Sequence, residues 1–247
     1  MRAILTYHSL DSSGSPVSVD PAVWREQVTW LATGPVPVLS LEELAGRTSE
    51  ADGIALTFDD GFANFATEAL PLLKDYEMPA TVFVPTEHVG GTNAWGGRGD
   101  GGVPELPLLN WTDLGRAVQA GITMGGHSRT HPRLTTLAPD ELAEEVGGGA
   151  ERILRELGQR PATFAYPYGI YDDAVVSVVA EQFQWACTTE LAGLTTGTPP
   201  ALLPRIDMFY FRQRGQLQAW GTGWFGRRLW SRRQARRVRR VIGGRLG

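Results

Sequence analysis

The chain has 247 residues, of which 42% are hydrophobic and 20% are charged. This length and composition fit one large globular domain or two small ones, and they exclude a collagen, a coiled coil and a disordered polymer. The single cysteine, Cys187, excludes an intrachain disulfide. The net charge of −4 conceals an asymmetry, because residues 1–207 carry a charge of −15 and residues 208–247 carry eleven arginines without any acidic residue.

The sequence contains no apolar segment of the length that a membrane requires. No run approaches the ~18 apolar residues that can span a bilayer. The first residues lack the apolar core of about 7–15 residues that a secretory signal contains. These patterns favour a cytoplasmic location.

Strand and helix patterns alternate along the chain. Apolar runs predict strands at residues 3–7, 36–39, 53–58, 80–84, 122–125, 162–165, 185–188 and 202–206. Spacing and capping residues predict helices after Asp20-Pro21, after Ser40, and at residues 63–76, 112–120, 139–157 and 172–183. Repeated β–α units favour a mostly parallel sheet. We therefore predict an α/β fold, a distorted or incomplete (β/α) barrel of about seven strands, over residues 1–207. A basic, aromatic helical tail follows at residues 208–247.

Chemically informative residues follow several predicted strands. They are His8, the motif TFDDG at residues 57–61, the motif HSRTHP at 127–132, the motif FAYPYG at 164–169, and Arg205. The carboxyl ends of the strands meet at one face of an α/β barrel, and the active site lies there. We therefore expect these residues to converge despite their separation in sequence.

The motif TFDDG places two carboxylates side by side. A turn at the strand end, which Gly61 permits, can bring Asp59 and Asp60 to one site. One carboxylate could then bind a metal while the other accepts a proton from water. The alternative is an Asp-Asp-Gly surface turn without a function.

The motif HSRTHP supplies two imidazoles four residues apart. His127 and His131, together with one carboxylate, form a common ligand set for catalytic zinc. The helical metalloprotease motif fits poorly, because Ser128 stands where that motif has a glutamate and Pro132 follows at once. The alternative for each histidine is a capping or core role.

These three motifs resemble those of the polysaccharide deacetylase family, the NodB-homology carbohydrate esterases, and the resemblance spans roughly residues 2–207. It implies a distorted (β/α) barrel that removes N- or O-acyl groups from sugars. It further implies one divalent ion, expected to be zinc with cobalt or nickel as alternatives. The roles that it implies are Asp59 as general base, Asp60, His127 and His131 as metal ligands, and the backbone N–H of Tyr168 as an oxyanion donor.

The sequence departs from the family pattern at two places. The family often has an arginine in the third motif, where this chain has Ala165 and Tyr166, and we take Arg205 as the candidate tether of the base. A surface Arg205 paired with Asp207 is the alternative. Many members have a late histidine as general acid, which this chain lacks, so His8 is the remaining candidate. Its alternative is a structural histidine bonded to the backbone.

Aromatic residues near the motifs are candidate substrate contacts. Trp95, in a glycine-rich loop, could stack on a sugar ring, and Tyr166 of the third motif is a second candidate. The expected reaction is removal of an N-acetyl group from an amino-sugar compound: a glycoside, an activated sugar or a lipid-linked glycan. The alternatives are a deformylase or other amide hydrolase with the same metal site, and a barrel that binds a glycan without catalysis.

The basic tail has several interpretations. Nine arginines alternate with aromatic and aliphatic residues over 220–247, which is typical of a segment that lies on an anionic membrane surface. The segment could also fold back on the acidic body or remain solvated. Contact with nucleic acid is the least favoured interpretation.

Overall fold

A closed barrel of parallel strands forms the body of the protein. The computed structural model describes residues 1–49, 51–96 and 102–243, and seven strands pair in chain order within these ranges. They are β1 (Arg2–Tyr7), β2 (Gly53–Phe58), β3 (Thr81–Val84), β4 (Thr123–Gly126), β5 (Thr163–Ala165), β6 (Trp185–Leu191) and β7 (Leu203–Asp207). The last strand pairs with the first, Ile4 lying opposite Arg205. The predicted seven-stranded barrel is confirmed, and it is closed.

Helices connect the strands, as the alternating pattern predicts. They are α1 (Pro21–Thr33), α2 (Leu41–Gly46), α3 (Leu70–Asp75), α4 (Trp111–Gln119), α5 (Pro139–Ala143), α6 (Gly149–Leu157), α7 (Asp173–Gln182) and α8 (Gly223–Gly243). The predicted caps form: Asp20 accepts from Ala22 N at 2.8 Å, and Ser40 Oγ accepts from Glu43 N at 3.1 Å. Among the described helices, none is both long and apolar enough to cross a membrane.

Three predicted elements differ from the observed ones. Residues 36–39 form only an isolated bridge, between Val38 and Ile54, and not a strand. The helix predicted at 63–76 begins with a π-helical turn, Phe65–Ala69. The helix predicted at 139–157 is interrupted by a second π-helical turn, Glu144–Gly148, between α5 and α6. Glycines occur in this second stretch, and each glycine costs about 1 kcal/mol of helix stability relative to alanine.

An apolar cluster occupies part of the barrel interior. The residues of one interior cluster come from six of the strands: Ile4, Ala55, Phe83, Ala165, Cys187 and Leu203. Leu41 and Leu44 of α2 belong to the same cluster. Burial raises the pKa of the Cys187 thiol to about 12, so this thiol stays protonated and unreactive. Cys187 is thus a buried core residue.

The segment after β7 packs on the barrel. Phe211, Leu217 and Phe225 are each at most 1% exposed and belong to the large core cluster outside the barrel. The rings of Phe211 and Phe225 stack with centroids 4.5 Å apart. The core therefore continues past residue 207, at least to the first turn of α8.

We predict that Gly125→Ala destabilises the barrel. An added Cβ would lie 2.4 Å from two ring carbons of Phe83 and 2.9 Å from Thr163 Oγ1, and overpacking of a filled core costs about 1–3 kcal/mol. The matched control is Gly115→Ala in α4, where no atom lies within 4 Å of the added Cβ. Urea denaturation should show the loss only for the first variant; equal stability of the two would contradict the packing described here.

Candidate active site

The barrel brings the sequence-predicted residues to one end. Asp59 and Asp60 follow β2, His127 follows β4, and His8 follows β1. Asp60 adopts a positive φ of 68°, and so does Gly61. Two successive left-handed residues make the turn that lets adjacent carboxylates share one site, which was predicted with Gly61 as the permissive residue.

Asp60, His127 and His131 form a buried group with the donor set of a metal site. Asp60 Oδ1 lies 3.3 Å from His127 Nε2 and 3.5 Å from His131 Nε2. One donor atom from each residue lies within 4.8 Å of the others. All three residues are less than one-tenth exposed. Burial opposes ionisation of Asp60, but the two imidazoles outweigh it and hold the pKa of this carboxyl well below its usual range.

The hydrogen bonds of His127 show that these residues fit a cation. His127 Nδ1 lies 2.6 Å from Ala165 O and donates to it. In the neutral ring this tautomer turns the Nε2 lone pair toward the Asp60 carboxylate, an arrangement that is favourable only with a proton or a cation between them. Burial lowers the pKa of His127, while Asp60 and Asp59 more than offset this and raise it.

His131 is held in the form that binds metals. Burial, together with the charge of His127, lowers the pKa of His131 to about 3, so its ring is neutral. Trp95 and Tyr168 lie beside this ring, each with its centroid 4.5 Å away. The two aromatic rings thus limit the access of water to one side of the candidate metal site.

Asp59 makes a bidentate ion pair with Arg205. Arg205 Nη1 donates to Asp59 Oδ1 at 2.6 Å and Nη2 donates to Oδ2 at 2.7 Å. Both residues are less than 5% exposed, and Arg205 Nε donates to Thr188 O at 3.0 Å. Burial alone would raise the pKa of Asp59, but Arg205 and then His8 lower it below its ordinary value. Arg205 therefore contacts Asp59, as expected from the sequence, and its burial argues against the alternative pairing with Asp207 on the surface.

His8 lies on the solvent side of Asp59. Its Nε2 is 3.7 Å from Asp59 Oδ2, and its side chain is 23% exposed. The imidazole thus lies beside Asp59 and remains partly open to solvent. That placement is compatible with proton transfer to a substrate atom.

The two predicted substrate contacts have different surroundings. Trp95 is half-buried against His131. Tyr166 is 1% exposed, packs in a core cluster with Phe164, and donates its hydroxyl to Ala201 O at 3.0 Å. The expectation of a sugar contact at Tyr166 is therefore corrected, because its side chain points into the core.

Backbone strain is concentrated at this site. Among the described residues other than glycine, five have positive φ, and four of these belong to the site: Asp60, Ser128, His131 and Tyr168. Each such residue costs on the order of 1 kcal/mol or more, and strain of this kind is typical of functional sites. The sequence gives no signal for it, because none of these residue types requires the conformation.

Sequence reasoning missed three groups that support the site. Two are backbone carbonyls: Ala165 O accepts from His127, and Thr188 O accepts from Arg205. No sequence pattern reveals them, because every residue has a backbone carbonyl. The third is Glu145, which accepts hydrogen bonds from the backbone of Arg129 and Thr130. Its only sequence signal is a charge within the interrupted helical pattern.

Comparisons with known proteins identify the family. Residues 46–183 match the profile of the polysaccharide deacetylase family. The poly-β-1,6-N-acetyl-D-glucosamine N-deacetylase of Staphylococcus epidermidis is 23% identical over 204 residues, covering 76% of this chain and 67% of that protein. The chitooligosaccharide deacetylase of Bradyrhizobium sp. is 29% identical over 148 residues, covering 59% of each.

A solved structure agrees with these sequence matches. The Streptococcus pyogenes deacetylase PplD, in complex with acetate, superposes with a TM-score of 0.70 and 25% identity over 83% of this chain and 91% of that one. The chain spans about two thirds or less of the length of the curated relatives it matches. With the profile matched over more than half of its 247 residues and the motif residues assembled at one end of the barrel, the chain belongs to the polysaccharide deacetylase family.

Proposed function

We propose that the protein is a metal-dependent hydrolase that removes an N-acetyl group from an amino-sugar compound. The single observation that supports this most strongly is the pairing of two adjacent buried carboxylates with different partners. Asp60 faces two imidazoles, and Asp59 is bound by a guanidinium. One carboxylate is thus arranged to bind a cation and the other to stay ionised as a base.

The proposed reaction is hydrolysis of the acetamide C–N bond. A divalent cation held by Asp60, His127 and His131 would polarise the acetyl carbonyl and make water more acidic. Asp59 accepts the proton of the attacking water, and Arg205 keeps Asp59 ionised and oriented. By resemblance to the family, the backbone N–H of Tyr168 donates to the oxyanion. His8 gives a proton to the leaving nitrogen, and the products are acetate and an amine.

The substrate class follows from the relatives and from the ring beside the site. The Staphylococcus epidermidis and Bradyrhizobium relatives are named as deacetylases of N-acetylglucosamine polymers and of chitooligosaccharides. Trp95, half-buried against His131, provides a surface on which a sugar ring can stack. A deformylase or other amide hydrolase would use the same residues, and product analysis on a panel of N-acylated sugars separates these activities. A glycan-binding barrel without catalysis would release no product from the panel.

Metal uptake and turnover should respond differently to two histidine substitutions. His131→Ala removes a ligand and should abolish stoichiometric binding of zinc, cobalt or nickel, measured by elemental analysis after metal loading. His8→Ala removes only the proposed acid, so it should retain the metal while turnover falls by about 10²- to 10⁴-fold. Metal uptake that does not depend on the paired imidazoles would refute the metal site, and full activity of His8→Ala would remove this residue from the mechanism.

Arg205→Gln should shift the pH dependence of activity. Without the guanidinium, burial raises the pKa of Asp59, so the acidic limb of the kcat/KM profile should move to higher pH. Stability should fall as well, by about 3–5 kcal/mol, because a buried carboxylate loses its partner. The control is Arg212→Gln, because Arg212 donates to the carbonyls of Gly14 and Ser15 and lies over the ring of Phe209, away from Asp59. An unshifted acidic limb in Arg205→Gln would contradict the assigned role.

The proposed partners include an anionic membrane surface. Trp224 and Trp230 on α8 are 41% and 65% exposed, and residues 208–247 contain no acidic residue. Some of the positive charge is directed inward: Arg228 donates to Tyr210 O, and Arg233 pairs with Glu190. The outer aromatic residues and the remaining charge favour insertion at the level of lipid headgroups.

Liposome flotation tests this contact. The protein should bind vesicles that contain anionic lipid more tightly than neutral ones, and the double variant Trp224→Ala/Trp230→Ala should lose most of this binding. Equal binding to neutral and anionic vesicles would refute the proposal. Salt-sensitive binding to RNA or DNA without vesicle binding would favour the nucleic-acid interpretation instead.

A further inference from the structure

Two residues of the ligand loop (residues 127–131) have a strained backbone. Ser128 has a φ of 63° and His131 a φ of 57°, both in the left-handed region. Each such residue costs on the order of 1–3 kcal/mol unless its surroundings impose the conformation. Arg129 and Thr130 lie between these two strained residues. Hydrogen bonds to their backbone groups can therefore impose the strained conformation.

The carbonyl side of the ligand loop is bound by the turn Thr86–His88. Thr86 N donates to Ser128 O at 3.3 Å, and Glu87 N donates to Arg129 O at 2.9 Å. His88 Nε2 lies 3.2 Å from Thr130 O. The backbone acceptors of the loop are thus satisfied from one side.

The amide side is bound by a single carboxylate, Glu145. Its Oε2 accepts from Arg129 N and from Thr130 N, both at 2.9 Å. Its Oε1 accepts from Thr130 Oγ1 at 2.8 Å. The next amide, His131 N, donates to Ser128 Oγ at 3.0 Å. One side chain therefore satisfies both amides that lie between the strained residues.

The π-helical turn Glu144–Gly148 brings this carboxylate to the loop. A π-helical turn inserts a residue into a helix and is frequent at functional sites. The helix also lies directly against the loop, because a Cβ added at Gly149 would be 3.1 Å from Ser128 O. The interruption of the predicted helix at residues 139–157 thus coincides with the contact to the ligand loop.

The two histidine ligands are oriented by different means. His127 has the usual bond from its second ring nitrogen, to Ala165 O, which fixes its tautomer and its plane. His131 Nδ1 is buried and has no hydrogen-bond partner among the described residues. The position of the His131 ring therefore depends on its packing and on the backbone that bears it.

We propose that Glu145 is a positioning residue for the metal ligand His131. It holds the amides of Arg129 and Thr130 and so imposes the backbone conformation that aims Nε2 of His131 at the site. The inference rests on the proposed metal-dependent function, because it concerns the affinity for the cation. It adds a residue that lies outside the motifs and that touches neither the metal site nor the substrate.

Zinc affinity, measured by competition with a chromophoric chelator, tests this role in the full chain. Glu145→Ala should weaken binding by about 10- to 100-fold, the usual effect of losing an outer group that helps to orient a metal ligand. Glu145→Gln should stay within about threefold of the wild type, since its carbonyl oxygen can accept from both amides while its NH₂ donates to Thr130 Oγ1. Glu144→Ala is the matched control, because Glu144 pairs only with the Arg129 side chain among the described contacts.

Saturating zinc should restore most of the turnover of Glu145→Ala, which a general folding defect would not allow. If Glu145→Ala fails to fold, Glu145→Asp replaces it; its shorter side chain cannot reach both amides, and it should bind zinc more weakly than Glu145→Gln. Wild-type affinity in Glu145→Ala, or in Glu145→Asp where that variant replaces it, would overturn the inference. A wild-type protein that does not bind zinc would instead refute the proposed metal-dependent function.

Discussion

Two adjacent carboxylates buried at the end of a barrel impose the central constraint on this protein. Asp59 and Asp60 are 4% and 8% exposed, and an unpaired buried charge is too costly for a folded protein to retain. Arg205 compensates Asp59 with two hydrogen bonds. Asp60 has only imidazoles as partners in the described contacts, and their charge state depends on their own burial. Asp60 therefore still needs a positive charge beside it. This need makes a cation site at Asp60 physically reasonable.

The barrel interior contains both apolar and polar groups. One apolar cluster includes Cys187 and Phe83. Towards the carboxyl ends of the strands the interior becomes polar: the hydroxyls of Thr6 and Thr57 lie 3.2 Å apart, and Arg205 Nη1 lies 3.4 Å from Thr57 Oγ1. These hydroxyls lie beside the Arg205 guanidinium, and Thr57 Oγ1 also donates to Leu5 O at 3.0 Å, so the Arg205–Asp59 pair is next to fixed polar groups.

Most of the fold and the motif residues could be predicted from the sequence. Apolar runs identified the seven strands because buried parallel strands have continuous hydrophobic segments. The convergence of His8, Asp59 and Arg205 followed from the geometry of parallel strands. Two predictions failed for local reasons. The strand predicted at residues 36–39 has strand composition but forms only a single bridge. The sugar contact predicted at Tyr166 fails because this side chain, although part of a motif, packs into the core. The carbonyl of Ala165 and the contact of Glu145 depend on tertiary distances that no local pattern encodes.

The strand that bears Arg205 is also the one that completes the barrel, since β7 pairs with both β6 and β1. Arg205 belongs to the last 45 residues of the chain, whereas Asp59 is present in the first quarter. During synthesis β2 therefore emerges long before Arg205, and the guanidinium reaches Asp59 only when β7 pairs with β1 and closes the barrel. Closure of the barrel and compensation of the Asp59 charge thus depend on the same strand, so a barrel without β7 would lack the guanidinium that keeps Asp59 charged in its buried position.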